Sequence, residues 1–112
     1  MIASIEEGDL SKIGNGIPTI VQIHDPGCPT CRALQAQTRA ALAEFEDGEL
    51  QYLVANIRQS EGKQLAAKHK VPHVTLLLFD GNGKRRNVLR GPNNRDTLAR
   101  AFRRLLTSEQ SG

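Results

Sequence analysis

The chain has no tryptophan, one tyrosine and three phenylalanines in 112 residues. So few aromatics supply no stacking platform for single-stranded nucleic acid. Cysteine is equally scarce. Cys28 and Cys31 are the only two, so one bridge at most can form and a disulfide-stapled scaffold is excluded. The longest apolar run, Val74 to Phe79, falls far short of the roughly 20 residues a membrane-spanning helix needs. The first residues, MIASIEEGDL, lack the basic start and apolar segment of a secretion signal. A cytoplasmic protein is therefore expected, with a trimmed extracytoplasmic chain as the alternative. No internal repeat and no low-complexity tract interrupts the sequence.

What remains is the length and charge of one ordinary domain, residues 1–112, with 107–112 expected to form a loose tail. The net charge of +3 is unevenly placed. From Leu76 onward eight basic residues (Lys84, Arg85, Arg86, Arg90, Arg95, Arg100, Arg103, Arg104) face three acids. Such a patch suits nucleic acid or an acidic partner. However, the last four arginines fall off the apolar face of a helix, where charges are normally solvated. Neither nucleic acid nor membrane is expected as a partner, and a monomer is expected.

Along the chain, Ile2 to Ile13 reads as a short amphipathic helix ended by GNG at 14–16. Pro18 admits a β-branched strand, TIVQIH at 19–24. After the turn Asp25-Pro26-Gly27, a helix opens around Cys28 to Cys31. It runs through RALQAQTRAALAEFED, with Leu34, Thr38, Ala41, Leu42 and Phe45 on one face and Gly48 as its stop. A strand at 49–57, a helix near Ser60 to Lys70 and a buried strand VTLLLF at 74–79 follow. Asp80-Gly81-Asn82-Gly83 makes a hairpin turn into a basic edge strand, Asn87 to Arg90. Asn94 caps a last helix that packs Leu98, Ala101, Phe102, Leu105 and Leu106. The fold class expected is α/β, a central mixed sheet of about four strands flanked by helices on both faces.

Cys28 and Cys31 invite three readings: a redox pair, half of a metal site, or small packing residues. A staple is the weakest use, because closing so tiny a loop constrains the unfolded chain little. In this element order the pair sits where a strand ends and a helix begins. Cys28 then meets the unpaired N–H groups and positive dipole end of the first turn, which favour a thiolate. Cys31, one turn deeper, can attack a mixed disulfide formed by Cys28. Pro29 suits the first turn because it lacks only an orphan N–H.

The strand TIVQIH, GCPTC opening a helix, the strand VTLLLF, the turn GNG, and Gly91 eight residues after Gly83 together resemble the thioredoxin superfamily over nearly the whole chain. The resemblance implies a thioredoxin-like fold and a thiol–disulfide oxidoreductase, with Cys28 as attacking thiol and Cys31 as resolving thiol. It implies no cofactor beyond the redox-active Cys28–Cys31 pair. The partners implied are disulfide-containing protein substrates and a recycling reductase or oxidase. Pro29 and Thr30 would tune the redox poise, and Val74, Thr75 and Gly91 would line the substrate groove.

Four departures from the family pattern stand out. Gly27 occupies the place of the family's Trp before the first cysteine. Gln22 replaces a buried Asp that handles the resolving thiol's proton, and Asn56 falls where its Lys neighbour would be. Losing a buried acid and its cation together is coherent, since either charge alone is costly. Slower turnover than a typical thioredoxin is therefore expected. Pro72 is the tempting match to the family's cis-proline, but counting without gaps from Gly83 and Gly91 puts Thr75 there. A non-proline cis bond costs about 2.5–4 kcal/mol, so a trans Val74–Thr75 bond is expected.

His24 and His73 flank this region. A protonated imidazole from either would lower the Cys28 thiol pKa. Alternatively, both are ordinary strand-end residues. Two further readings stay open. His24, Cys28, Cys31 and His73 could form a tetrahedral Zn or a Cu(I) site, and Thr75 favours this because the family's cis-proline is thought to keep metals off the dithiol. The chain could also be a thioredoxin-like protein-binding module whose cysteines are incidental.

Overall fold

The computed structural model describes residues 7–111, with side chains through residue 107. Four strands, β1 (Thr19–His24), β2 (Gln51–Asn56), β3 (Thr75–Phe79) and β4 (Arg85–Arg90), form one sheet in the order β2-β1-β3-β4. β2 runs parallel to β1, β3 antiparallel to β1, and β4 antiparallel to β3. The helices are α1 (Pro29–Leu42), α2 (Ser60–His69) and α3 (Arg95–Ser111). The expected mixed sheet with helices on both faces is what forms.

Alternation along the strands sorts the core into two layers. Ile20, Tyr52, Val54, Leu76 and Leu78 meet Leu34 and Ala41 of α1 and Leu98, Phe102 and Leu105 of α3. Val21, Ile23, Leu53, Ala55, Leu77 and Phe79 face the other way, toward Val71 and, in α2, Leu65 and Ala66. β1 is buried at every residue, which makes it the fixed reference for whatever follows it. α2 approaches β2 so closely that a Cβ on buried Gly62 would run into the Asn56 carbonyl.

Several boundaries differ from expectation. Of the expected helix Ile2 to Ile13, the part before residue 7 lies outside the described residues, and the remainder holds a single 3-10 turn, Leu10–Lys12, capped by Asp9. α1 ends at Leu42 rather than near Gly48. Gly48, at φ +88°, serves a separate turn, which the Glu49 side chain closes by accepting the Glu46 N–H at 2.8 Å. β4 begins at Arg85, before the expected Asn87, because a register shift at Leu78/Phe79 lets Arg85 pair with Phe79. α3 continues to Ser111, through residues expected to form the tail. The hairpin turn is held by buried Asp80, whose carboxylate accepts from the Asn82 N–H (2.9 Å), the Lys84 N–H (3.0 Å) and Arg86 Nε (2.9 Å). Among the described residues no helix is long and apolar enough to cross a membrane.

Candidate active site

β1 delivers the chain to a turn at Asp25-Pro26-Gly27. The Cys28 N–H donates to the Asp25 carbonyl (3.0 Å) and the Gly27 N–H to Asp25 Oδ1 (3.0 Å). Cys28 is the N-cap of α1, extended at φ −99° and ψ 114°, and Pro29 takes the first helical position. In place of the usual oxygen cap, the Cys28 Sγ accepts the Cys31 N–H at 3.3 Å. That amide is the largest influence pushing the Cys28 thiol below its ordinary pKa. The Cys31 thiol and, more weakly, the Thr30 amide add to it, while desolvation and then the Asp25 carboxylate oppose it. Anionic sulfur is the better acceptor for such donors.

Cys31 is fully buried, and desolvation pushes its thiol up. Proximity to Cys28 raises it further, against the amides of Asp25 and Val74. Two thiols three residues apart thus have opposite tendencies, set by position in the first turn.

Behind Cys31 lies a neutral buried hub. Gln22 Nε2 donates to the Cys31 carbonyl (2.9 Å) and stands 3.1 Å from His24 Nδ1, while the Tyr52 hydroxyl donates to Gln22 Oε1 (2.6 Å). With Gln22 as the donor, His24 accepts at Nδ1 and carries its proton on Nε2. Burial pushes the Tyr52 phenol far above its usual range, with Arg39 opposing. Arg39 lies 5.2 Å over the Tyr52 ring and holds Glu7 through two 3.0 Å contacts. The hub therefore positions groups without offering a carboxylate to take a proton. Asn56 sits opposite His24 in register, and its Oδ1 accepts the Arg58 N–H (2.9 Å).

Across from the dithiol, Val74 adopts φ +62°, a strained conformation for a β-branched residue. Its N–H donates to the Ile23 carbonyl (3.1 Å), and its carbonyl accepts the Gly91 N–H (2.8 Å). Among the described residues no peptide bond is cis, so Val74–Thr75 is trans as expected. Thr75 is fully buried, pairs with Ile23 and Arg90, and its Oγ1 has no hydrogen-bond partner among the described residues. Pro72 is exposed, three residues earlier.

The two histidines part company. A His73 ring nitrogen and both cysteine sulfurs all lie within 4.8 Å of one another, whereas His24 is not in that group. Of the alternative four-residue metal set, three are brought together, and His24 stands apart, buried with Nδ1 against Gln22. Desolvation, the largest influence, also holds the His24 imidazole below its ordinary pKa, so it supplies no standing cation to Cys28. The pull on the Cys28 thiol comes from the α1 amides and the Cys31 thiol.

Gly27, Pro29 and Thr30 are exposed around Cys28. Arg58 Nη2 lies 2.7 Å from where a Cβ on Gly27 would stand, and Arg58 Nε grips Asp25 Oδ1 at 2.9 Å. Three residues that sequence reasoning passed over thus shape the site. Asp25 read only as turn punctuation, and Arg58 carried no reading at all. Tyr52 carried one signal, being the single tyrosine and lying inside a strand.

The thioredoxin family model matches residues 9–104. No curated protein matches the sequence at a significant level. Among solved structures, an uncharacterized thioredoxin-like protein from Clostridium perfringens is similar at 20% identity and TM-score 0.72, over 93% of this chain and 90% of that one. Oxidized thioredoxin O2 from Arabidopsis thaliana is 15% identical at TM-score 0.68, over 86% and 81%. Fasciola hepatica thioredoxin is 21% identical at TM-score 0.59, over 86% and 84%. At these identities the likeness is one of fold.

Proposed function

The chain belongs to the thioredoxin family, and we propose that it is a thiol–disulfide oxidoreductase acting on protein disulfides through Cys28 and Cys31. The observation that carries this reading is the Cys28 sulfur as N-cap acceptor of the Cys31 amide, one turn from a buried second thiol. The Cys28 thiolate attacks one sulfur of the substrate disulfide, that S–S bond breaks, and the first substrate sulfur leaves as a thiolate. Cys31 then loses its proton and attacks Cys28 Sγ, which releases the second substrate sulfur. Two electrons have passed to the substrate, and the protein holds a Cys28–Cys31 disulfide for a reductase to recycle. An oxidant would run the same steps backward.

Gln22 accepts no proton from Cys31, so that proton goes to the departing thiolate or to water. Turnover slower than that of a typical thioredoxin follows. Insulin reduction with a fixed chemical reductant tests both statements. Precipitation faster than with reductant alone, and lost in Cys28→Ser, is expected. A wild-type rate no higher than the reductant alone overturns the activity, and a rate equal to a typical thioredoxin overturns the proton argument. The reduction potential then gives direction: near about −270 mV for an electron donor, toward about −120 to −180 mV for an oxidant or isomerase.

A further inference from the structure

Disulfide exchange uses two sulfurs and leaves His73 without a task, although a ring nitrogen of His73 lies within 4.8 Å of both. We propose that the reduced protein binds one Zn2+ ion between Cys28 Sγ, Cys31 Sγ and His73, with the fourth tetrahedral position open to solvent or to a partner's thiolate. The inference goes beyond the redox reading and does not rest on it.

Two thiolates and an imidazole are donors that Zn2+ takes readily, at about 2.3 Å to sulfur and about 2.0–2.1 Å to nitrogen. Two sulfurs on one tetrahedral ion then stand roughly 3.8 Å apart. The three donors already lie within 4.8 Å of one another, close to that spacing. Cys28 is half-buried and His73 exposed, so both can adjust, while Cys31 is fixed at the buried side.

The backbone around His73 is held in place. Val74, the next residue, keeps its left-handed conformation between hydrogen bonds from its N–H to Ile23 and to its carbonyl from Gly91. The Asp25 carboxylate beside the site is gripped by Arg58 and by the Gly27 amide. His24 Nδ1 is taken by Gln22. That leaves three ligands and one open position, the pattern of zinc sites that exchange a ligand rather than of closed structural ones. Binding displaces the two thiol protons and involves no electron transfer. A Cys28–Cys31 disulfide and the ion exclude each other, so metal occupancy would report the redox state of the pair.

The test titrates Zn2+ anaerobically into reduced full-length protein against a chromophoric chelator, with Co2+ as a spectroscopic probe of geometry. One equivalent is expected, with the intense visible bands of tetrahedral, thiolate-bound Co2+. Prior oxidation should abolish binding, His73→Ala should weaken it roughly tenfold or more by removing one of three ligands, and His69→Ala should leave it unchanged. Zn2+ binding in His73→Ala equal to wild type overturns the proposal, as does retention of Cu+ with no Zn2+ held. Because no turnover is read, inactivity toward insulin and failure to bind metal are separate results.

Discussion

Cys28 and Cys31 share a residue type, a helix and a first turn, yet their surroundings pull their thiols in opposite directions. Cys28 stands at the open end of α1, where amides of Cys31 and Thr30 point at its sulfur. Cys31 is packed beneath, where desolvation outweighs the two amides that reach it. The lesson is that spacing supplies a dithiol, but burial divides its labour. One thiol is drawn toward its thiolate and the other toward keeping its proton.

The largest break in that asymmetry comes from removing one thiol at a time. Cys28→Ser should fall to the rate of the chemical reductant alone in insulin reduction. Cys31→Ser should instead accumulate a mixed disulfide through Cys28, visible as a mass increase on non-reducing analysis. A mixed disulfide trapped on Cys31 in the Cys28→Ser protein would reverse the assignment.

Next in size is a change confined to the buried side. Tyr52→Phe removes the donor to Gln22 Oε1 and leaves a buried acceptor unpaired, which costs about 1–3 kcal/mol. Urea unfolding should show that loss, with the alkylation midpoint of Cys28 unmoved. A shifted Cys28 midpoint would mean that the two sides are not separate.

Acid should weaken the buried side too. The His24 pKa is depressed in the folded protein, mainly by desolvation, and burial lowers His69 in the same sense. The unfolded chain therefore binds more protons than the folded one on acidification. Stability from these groups is complete above the unfolded imidazole value, about 6.5, and is lost as pH falls through the lower folded value. The urea midpoint should drop between pH 7.5 and pH 5, and His24→Gln should flatten that dependence. An unchanged slope in the variant would remove His24 from the account.

The smallest effect should be on the open side. Asp25→Asn keeps an acceptor for the Gly27 amide while deleting the charge that opposes the Cys28 thiolate. The Cys28 alkylation profile should move to lower pH, and a move to higher pH would contradict the sign of that influence.

The same division describes how much was legible in the sequence. β1 was readable to the residue, because TIVQIH is β-branched and bounded by proline and by Asp-Pro-Gly. The start of α1 was readable from Cys28-Pro29, a cap followed by a residue that needs no N–H. Its end was not, since Gly48 is a true turn signal that belongs to a later turn. The first residues of β4 were hidden, because Arg85, Arg86 and Asn87 are all exposed and show no alternation. At the site, the cysteine pair and the trans bond before Thr75 were readable. The separation of His24 from His73 was not, because it depends on which face of β1 His24 occupies and on Gln22 claiming its nitrogen. Sequence order shows neighbours along a strand, and only packing shows which of them turn toward the sulfur.

The most direct measurement is the pH dependence of alkylation at each cysteine of the reduced wild-type protein, resolved by peptide mass. Midpoints are compared rather than rates, since burial slows Cys31 whatever its charge. The account predicts a Cys28 midpoint below that of an ordinary thiol and a Cys31 midpoint above it. Coincident midpoints, or Cys31 titrating first, would contradict it.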